Sequence, residues 1–165
     1  MVVISNTTPL NYLILIGLVD VLPVLYGKVA IPDAVFAELQ RDRTPRPVRE
    51  WIANRPQWLL VKQVQTEHPS LEKLHAGERE AILLTKQINA DALIIDERDG
   101  RRAAQRLGIR VIGTMRVLAD AAEAGLCNLE EALDRLQQTS FRLSSRLKKA
   151  ILDAHIRDKE QGDRQ

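Results

Sequence analysis

The chain opens on an apolar run, Val2, Val3 and Ile4, that stops at the polar cluster Ser5-Asn6-Thr7-Thr8 just before Pro9. A strand followed by a helix is predicted, because Ser, Asn and Thr favour helix caps and Pro suits a first turn. Leu10, Leu13, Ile14 and Gly17 share one face of that helix, and a second short apolar segment over 19–26 ends at Gly27. The pattern then repeats. Residues 28–31 read as a strand, and Pro32 starts a helix carrying Ala34, Val35 and Leu39, with Glu38 near its far end. Residues 41–47 break it. Trp51 and Ile52 indicate a small helix, 58–64 a third strand, and 67–76 a polar connection.

Gly77 opens the clearest helix of the chain, through Ile88, and 92–95 reads as a buried strand ending at Asp96. In the following helix Gly100, Ala103, Ala104 and Leu107 fall at helical spacing, so small residues face the sheet, and Gly108 ends it before a strand over 110–112. Thr114 caps a helix whose stripe is Val117, Leu118, Ala121 and Ala122. Asn128 and Glu131 form a capping box for a helix carrying Leu129, Leu133 and Leu136. A last amphipathic helix covers 143–156, and the tail 159–165 is expected to fray.

Short apolar strands alternating with helices imply an α/β fold, a three-layer α/β/α sandwich around a central parallel sheet of four to five strands. Residues 1–138 are expected to form the domain, with 139–165 a C-terminal helix and tail packed on it. At 165 residues, 45% apolar and 28% charged, the chain has material for one core without disulfides. The longest apolar stretch, 12–19, is too short for a membrane span, and no secretory signal pattern is present. The lone Cys127 suits a reducing compartment, so a cytoplasmic location is expected. A net charge of +2 argues against strong nonspecific nucleic-acid binding, and 4% aromatic content against an aromatic base-stacking platform.

Ligands of open α/β sheets sit beyond the carboxyl ends of the strands, which directs attention to Asn6, Asp96 and Gly113. No glycine pattern there fits a phosphate cradle, the three histidines lack the spacing of a zinc site, and Ser5 lacks a nucleophile elbow. Carboxylates remain. Asp96, Glu97 and Asp99 follow the buried strand, and Glu78 and Glu80 open the helix before it. On a helical wheel Glu78 lies about 60 degrees from the buried stripe and Glu80 about 100 degrees, so Glu78 is the better-aimed acid. Glu38 stands near a helix C-terminus, where the macrodipole disfavours an anion unless a cation or Arg is near. Crowded carboxylates suit magnesium or manganese, which take hard oxygen ligands. Taken singly, each acid is better explained as a helix cap, a complement to a helix N-terminus or a solvated side chain than as a metal ligand.

The order of Ser5-Asn6-Thr7-Thr8-Pro9-Leu10, then residues 31–39 with Glu38, then Gly77-Glu78-Arg79-Glu80, then Leu93-Ile94-Ile95-Asp96-Glu97-Arg98 resembles the PIN domain. More closely it resembles a prokaryotic PIN-like branch related to VapC-type toxins, over about residues 2–136, with Phe141-Arg142-Leu143-Ser144 also typical. The resemblance implies a metal-dependent ribonuclease acting on single-stranded RNA, often the toxin of a toxin–antitoxin pair, with Mg or Mn as cofactor. It places the family acids on Glu38, Glu78 and Asp96, with Asp99 as a fourth metal ligand. The first family acid is replaced by Asn6, whose carbonyl still ligates a hard cation but removes one negative charge. Thr7 and Thr8 are placed to hydrogen-bond the scissile phosphate or a metal-bound water, and Arg98 to contact phosphate. The implied partners are RNA, an antitoxin protein and a second copy of the chain, with no membrane. A second reading follows from Asn6: a catalytically weak or silent PIN-like module that binds RNA or protein. A receiver-like signalling domain is a third, although the paired acids and the Lys it needs are absent.

Overall fold

The computed structural model describes residues 1–164. Five parallel strands form one sheet in the order β3-β2-β1-β4-β5, with β1 at Val2–Ser5, β2 at Lys28–Pro32, β3 at Leu59–Lys62, β4 at Ala92–Ile94 and β5 at Val111–Ile112. The upper expectation of strand number is met. β1 is central, pairing Val3 with Val29 on one side and with Ala92 on the other. Its burial explains its sequence: both faces of a parallel sheet are covered, so Val3 and Ile4 are fully buried in succession rather than alternating with polar residues. β3, at one edge, alternates in burial instead.

Helices alternate with the strands: α1 Thr7–Leu15, α2 Val21–Tyr26, α3 Asp33–Glu38, α4 Arg46–Ala53, α5 Ala76–Gln87 and α6 Arg98–Arg106. The fold is α/β with three layers, as the periodicity indicated. α5 carries much of the core: Ala81, Ile82 and Leu84 are fully buried with Ile4, Leu93, Ile95 and Ala104, and a Leu84→Ala change at such a site costs about 2–5 kcal/mol. Gly100 and Ala104 do face inward from α6, and Gly108 ends that helix at φ 74°, a conformation that glycine adopts without the steric cost of a Cβ.

Residues fall into two compact units, Met1–Thr114 and Met115–Gln165. The first holds the sheet. The second holds all but the first residue of α7 (Thr114–Glu123), with α8 (Leu129–Gln137) and α9 (Ser145–Gly162). The Asn128 cap is present, its side chain accepting from the Glu131 N–H at 3.0 Å. Lys148 of α9 pairs with Asp134 of α8. α9 runs to Gly162 rather than stopping at residue 156. The apolar stripe ends there, but Arg157, Lys159 and Glu160 are good helix formers and sustain the turn around Asp158. Gln165 lies outside the described residues. No helix among the described residues is long and apolar enough to cross a membrane.

Candidate metal and nucleic-acid site

The chain leaves β1 toward β2 on one side and reaches β4 on the other, so a crevice opens where the strand order reverses. Asn6 follows β1, Glu38 ends the helix after β2, and Glu97 follows β4. With Glu78 from the first turn of α5 they wall a cavity of about 330 Å³, whose lining also includes Thr7, Thr8, His75, Arg41 and Arg43.

Each acid is held by a nameable contact. Glu38 ends α3, where the helix field opposes an anion, but the N-terminus of α5 compensates: the Gly77 N–H donates to its Oε1 at 3.0 Å. The Thr7 hydroxyl donates to the other oxygen of the same carboxylate. Glu97 accepts from the Thr8 hydroxyl and from Asn6 Nδ2 at 3.0 Å. Glu78 approaches Gly100, whose missing Cβ makes room for it: an added Cβ there would stand 2.9 Å from Glu78 Oε2. Burial pushes the Glu78 pKa above its ordinary value and the charge of Glu97 adds to it; His75 opposes them, and the weaker charges of Asp99 and Glu38 push upward again.

Asn6 does not cap α1 with its side chain. It is 3% exposed, and its Oδ1 is buried with no hydrogen-bond partner, although Nδ2 is engaged by Glu97. A lone buried carbonyl costs stability unless something fills its lone pairs, and this one belongs to a side chain lining the cavity.

Glu80 turns away, as the wheel indicated. Its Oε2 accepts from the Ala34 N–H at 2.9 Å and caps α3. Asp96 also stands apart. Instead of capping the helix that follows it, or joining the other acids, its carboxylate accepts from the Thr114 N–H at 2.8 Å and the Thr114 hydroxyl at 2.6 Å. Thr114 is therefore held by Asp96, whose carboxylate serves an N–H at the start of α7. Asp99 is exposed and outside the cavity lining, reaching Glu78 only through its charge. Arg98 is exposed and likewise outside the lining.

Glu97 lines the cavity where the family motif points to its neighbour Asp96. β4 is buried on both faces, so its periodicity gives no clue as to which of two adjacent acids turns to the crevice. Arg41 and Arg43 were visible only as part of an arginine-rich segment, and His75 carried no signal.

A family model described as a PIN domain, DUF3368, matches residues 2–156. The chain belongs to the PIN domain family. PIN domains are generally nucleases and generally depend on divalent metal. A solved structure, a PilT N-terminus domain protein, SSO1118, from the hyperthermophilic archaeon Sulfolobus solfataricus P2, is similar at a TM-score of 0.54 and 19% identity. The match covers 74% of this chain and 95% of that one, and at this identity it supports the shared fold alone. No curated protein matches the chain.

The donors in this PIN-domain cavity suit a hard divalent cation, being carboxylate and amide oxygens around the unpartnered Asn6 carbonyl. The carboxylate oxygens of Glu38 and Glu97 are turned to hydrogen-bond donors, and no group of three or more His, Cys, Asp or Glu among the described residues is arranged to hold a metal ion. Bringing Glu38, Glu78 and Glu97 onto one cation therefore requires their side chains to move together.

Proposed function

We propose that this chain is an endonuclease for single-stranded RNA that depends on Mg or Mn, and that Asn6, Glu38, Glu78 and Glu97 form its metal-holding set. The observation that carries the reading is the buried, unpartnered Oδ1 of Asn6 on a side chain that lines a cavity walled by three carboxylates. When bound, a divalent cation supplies positive charge to the scissile phosphate and lowers the pKa of attacking water. Thr7 and Thr8 orient Glu38 and Glu97 in the absence of that charge. With a cation held there, the Thr7 and Thr8 hydroxyls would stand close enough to the site to donate to a phosphate oxygen. Arg41 and Arg43, at the rim, attract the RNA backbone to a cavity whose acids would otherwise repel it. Asp96 acts as a positioning residue, fixing the end of β4 so that Glu97 points inward. In this reading Asp99 adds charge without ligating, and Arg98 contributes phosphate attraction from outside the cavity.

Labelled single-stranded RNA incubated with the full chain in Mg or Mn tests the proposal. Cleavage that EDTA and Glu78→Gln both abolish is expected. Absence of cleavage in both metals over a panel of sequences overturns it. Growth arrest on expression, relieved by Glu78→Gln and by a partner protein, would extend the reading to the toxin of a toxin–antitoxin pair.

One observation favours a second reading. Asn6 donates to Glu97 where a charged ligand would repel it, so the site holds less negative charge than four acids would supply. A silent RNA-binding module is the outcome if the native chain binds RNA but only Asn6→Asp cleaves it.

A further inference from the structure

Positive charge is unevenly distributed along the chain. Residues 41–55 hold Arg41, Arg43, Arg46, Arg49 and Arg55 against Asp42 and Glu50, a net +3; residues 98–110 hold five arginines against Asp99, a net +4, but no aromatic residue. Arg46 pairs with Glu50 at 2.7 Å, and Arg41 and Arg43 line the acid cavity. Aromatic residues gather on the same segment: three of the six in the chain, Phe36, Trp51 and Trp58, lie in or beside it. The Arg55 guanidinium stands 5.2 Å from the centre of the Phe36 ring, and the Trp51 and Trp58 rings are 5.8 Å apart. All three rings are partly exposed. Val48 and Ile52 are fully buried, so α4 is anchored by one face and presents the other outward. Low overall charge and few aromatics thus conceal a local concentration of both.

We propose that Phe36, residues 41–45, α4, Arg55 and Trp58 form a track for single-stranded RNA that leads its backbone into the acid cavity. The proposal rests on the ribonuclease reading for the destination of the strand, and its own evidence is the charge and aromatic placement. Unpaired bases stack on Phe and Trp rings and on guanidinium planes, while phosphates meet the arginines. A duplex keeps its base faces covered and gains only the electrostatic part.

The test uses the full chain in EDTA, where cleavage plays no part, titrated against labelled oligouridylate of about twelve nucleotides. Both tryptophans of the chain lie in the track, so their emission reports on it directly. Quenching that follows the rise in anisotropy is expected. Arg43→Glu with Arg55→Glu, both exposed positions, should weaken binding about tenfold or more and reduce the salt slope by about 1.4. The milder Arg43→Gln with Arg55→Gln should follow in the same direction. Arg106→Glu with Arg110→Glu, exposed elsewhere, should cost less than about threefold, and a matched duplex should bind at least about tenfold more weakly. Equal loss in the two charge-reversed proteins, equal duplex binding, or tryptophan emission that stays constant as RNA binds would overturn the track. Track-dependent binding without cleavage in Mg or Mn would retain the track and remove the ribonuclease reading. Glu78-dependent cleavage with binding indifferent to Arg43 and Arg55 would do the reverse.

Discussion

The Asp96 carboxylate takes both donors of Thr114, the backbone N–H at 2.8 Å and the hydroxyl at 2.6 Å, and so ties the end of β4 to the first residue of α7. Replacing Asp96 by Ala leaves a fully buried hydroxyl and an amide without their acceptor, at a cost of about 1–3 kcal/mol in urea denaturation. Thr114→Val should cost less, since the amide keeps its bond. If Asp96 is a positioning residue, Mg affinity measured by calorimetry at a temperature where the variant is folded should change less than in Glu97→Gln.

Glu78 links charge in the cavity to pH. Its folded pKa is raised by burial, then by Glu97, Asp99 and Glu38, so the folded protein binds this proton more readily than the unfolded chain. Stability from this group therefore rises as pH falls through the raised value and gains nothing further below the ordinary 4.5. Glu78→Gln should raise the melting temperature at neutral pH and flatten this part of the pH profile. The same protonation opposes cation binding, so Mg affinity of the native protein should fall over that window, as calorimetry at stepped pH would record.

Gly77 is a position where alanine should help and instead should harm. Glycine in a helix ordinarily costs about 0.5–1 kcal/mol relative to alanine. Here a Cβ would stand 2.5 and 2.6 Å from the two carboxylate oxygens of Glu38, forcing that side chain aside. Gly77→Ala should lower Mg affinity about tenfold while every acid remains present. Unchanged affinity would show that Glu38 is not a ligand.

Asn6→Asp exchanges a donor to Glu97 for a like charge beside it. The variant should melt at lower temperature than the native protein in EDTA and show a larger Mg-induced rise in melting temperature. Thermal scans with and without Mg decide this, and a rise no larger than that of the native chain counts against Asn6 as a ligand position.

Much of this architecture was legible in the sequence because its signals were local. The continuous apolar runs at 2–4 and 92–95 mark the buried strands, and the angular offset between Glu78 and Glu80 matches their placement, Glu78 lining the cavity and Glu80 capping α3. Glu97 was illegible for a physical reason. Selection between two adjacent carboxylates depends on the Thr114 donors, which come from a turn about twenty residues away and have no periodic signature. α9 outlasts its apolar stripe because apolar periodicity reports packing, whereas helix length beyond the packed turns follows backbone propensity.

The Asn6 to Glu97 bond joins residues 91 positions apart, and β1 finds its β4 neighbour only across a similar separation. During vectorial synthesis, β1 and the helices after it emerge long before that partner. Glu38 and Glu78 are both made before the chain reaches Glu97, yet the cavity lacks its last wall until β4 has joined the sheet. The acid site is consequently a late product of translation, withheld from any nascent chain that ends short of residue 97.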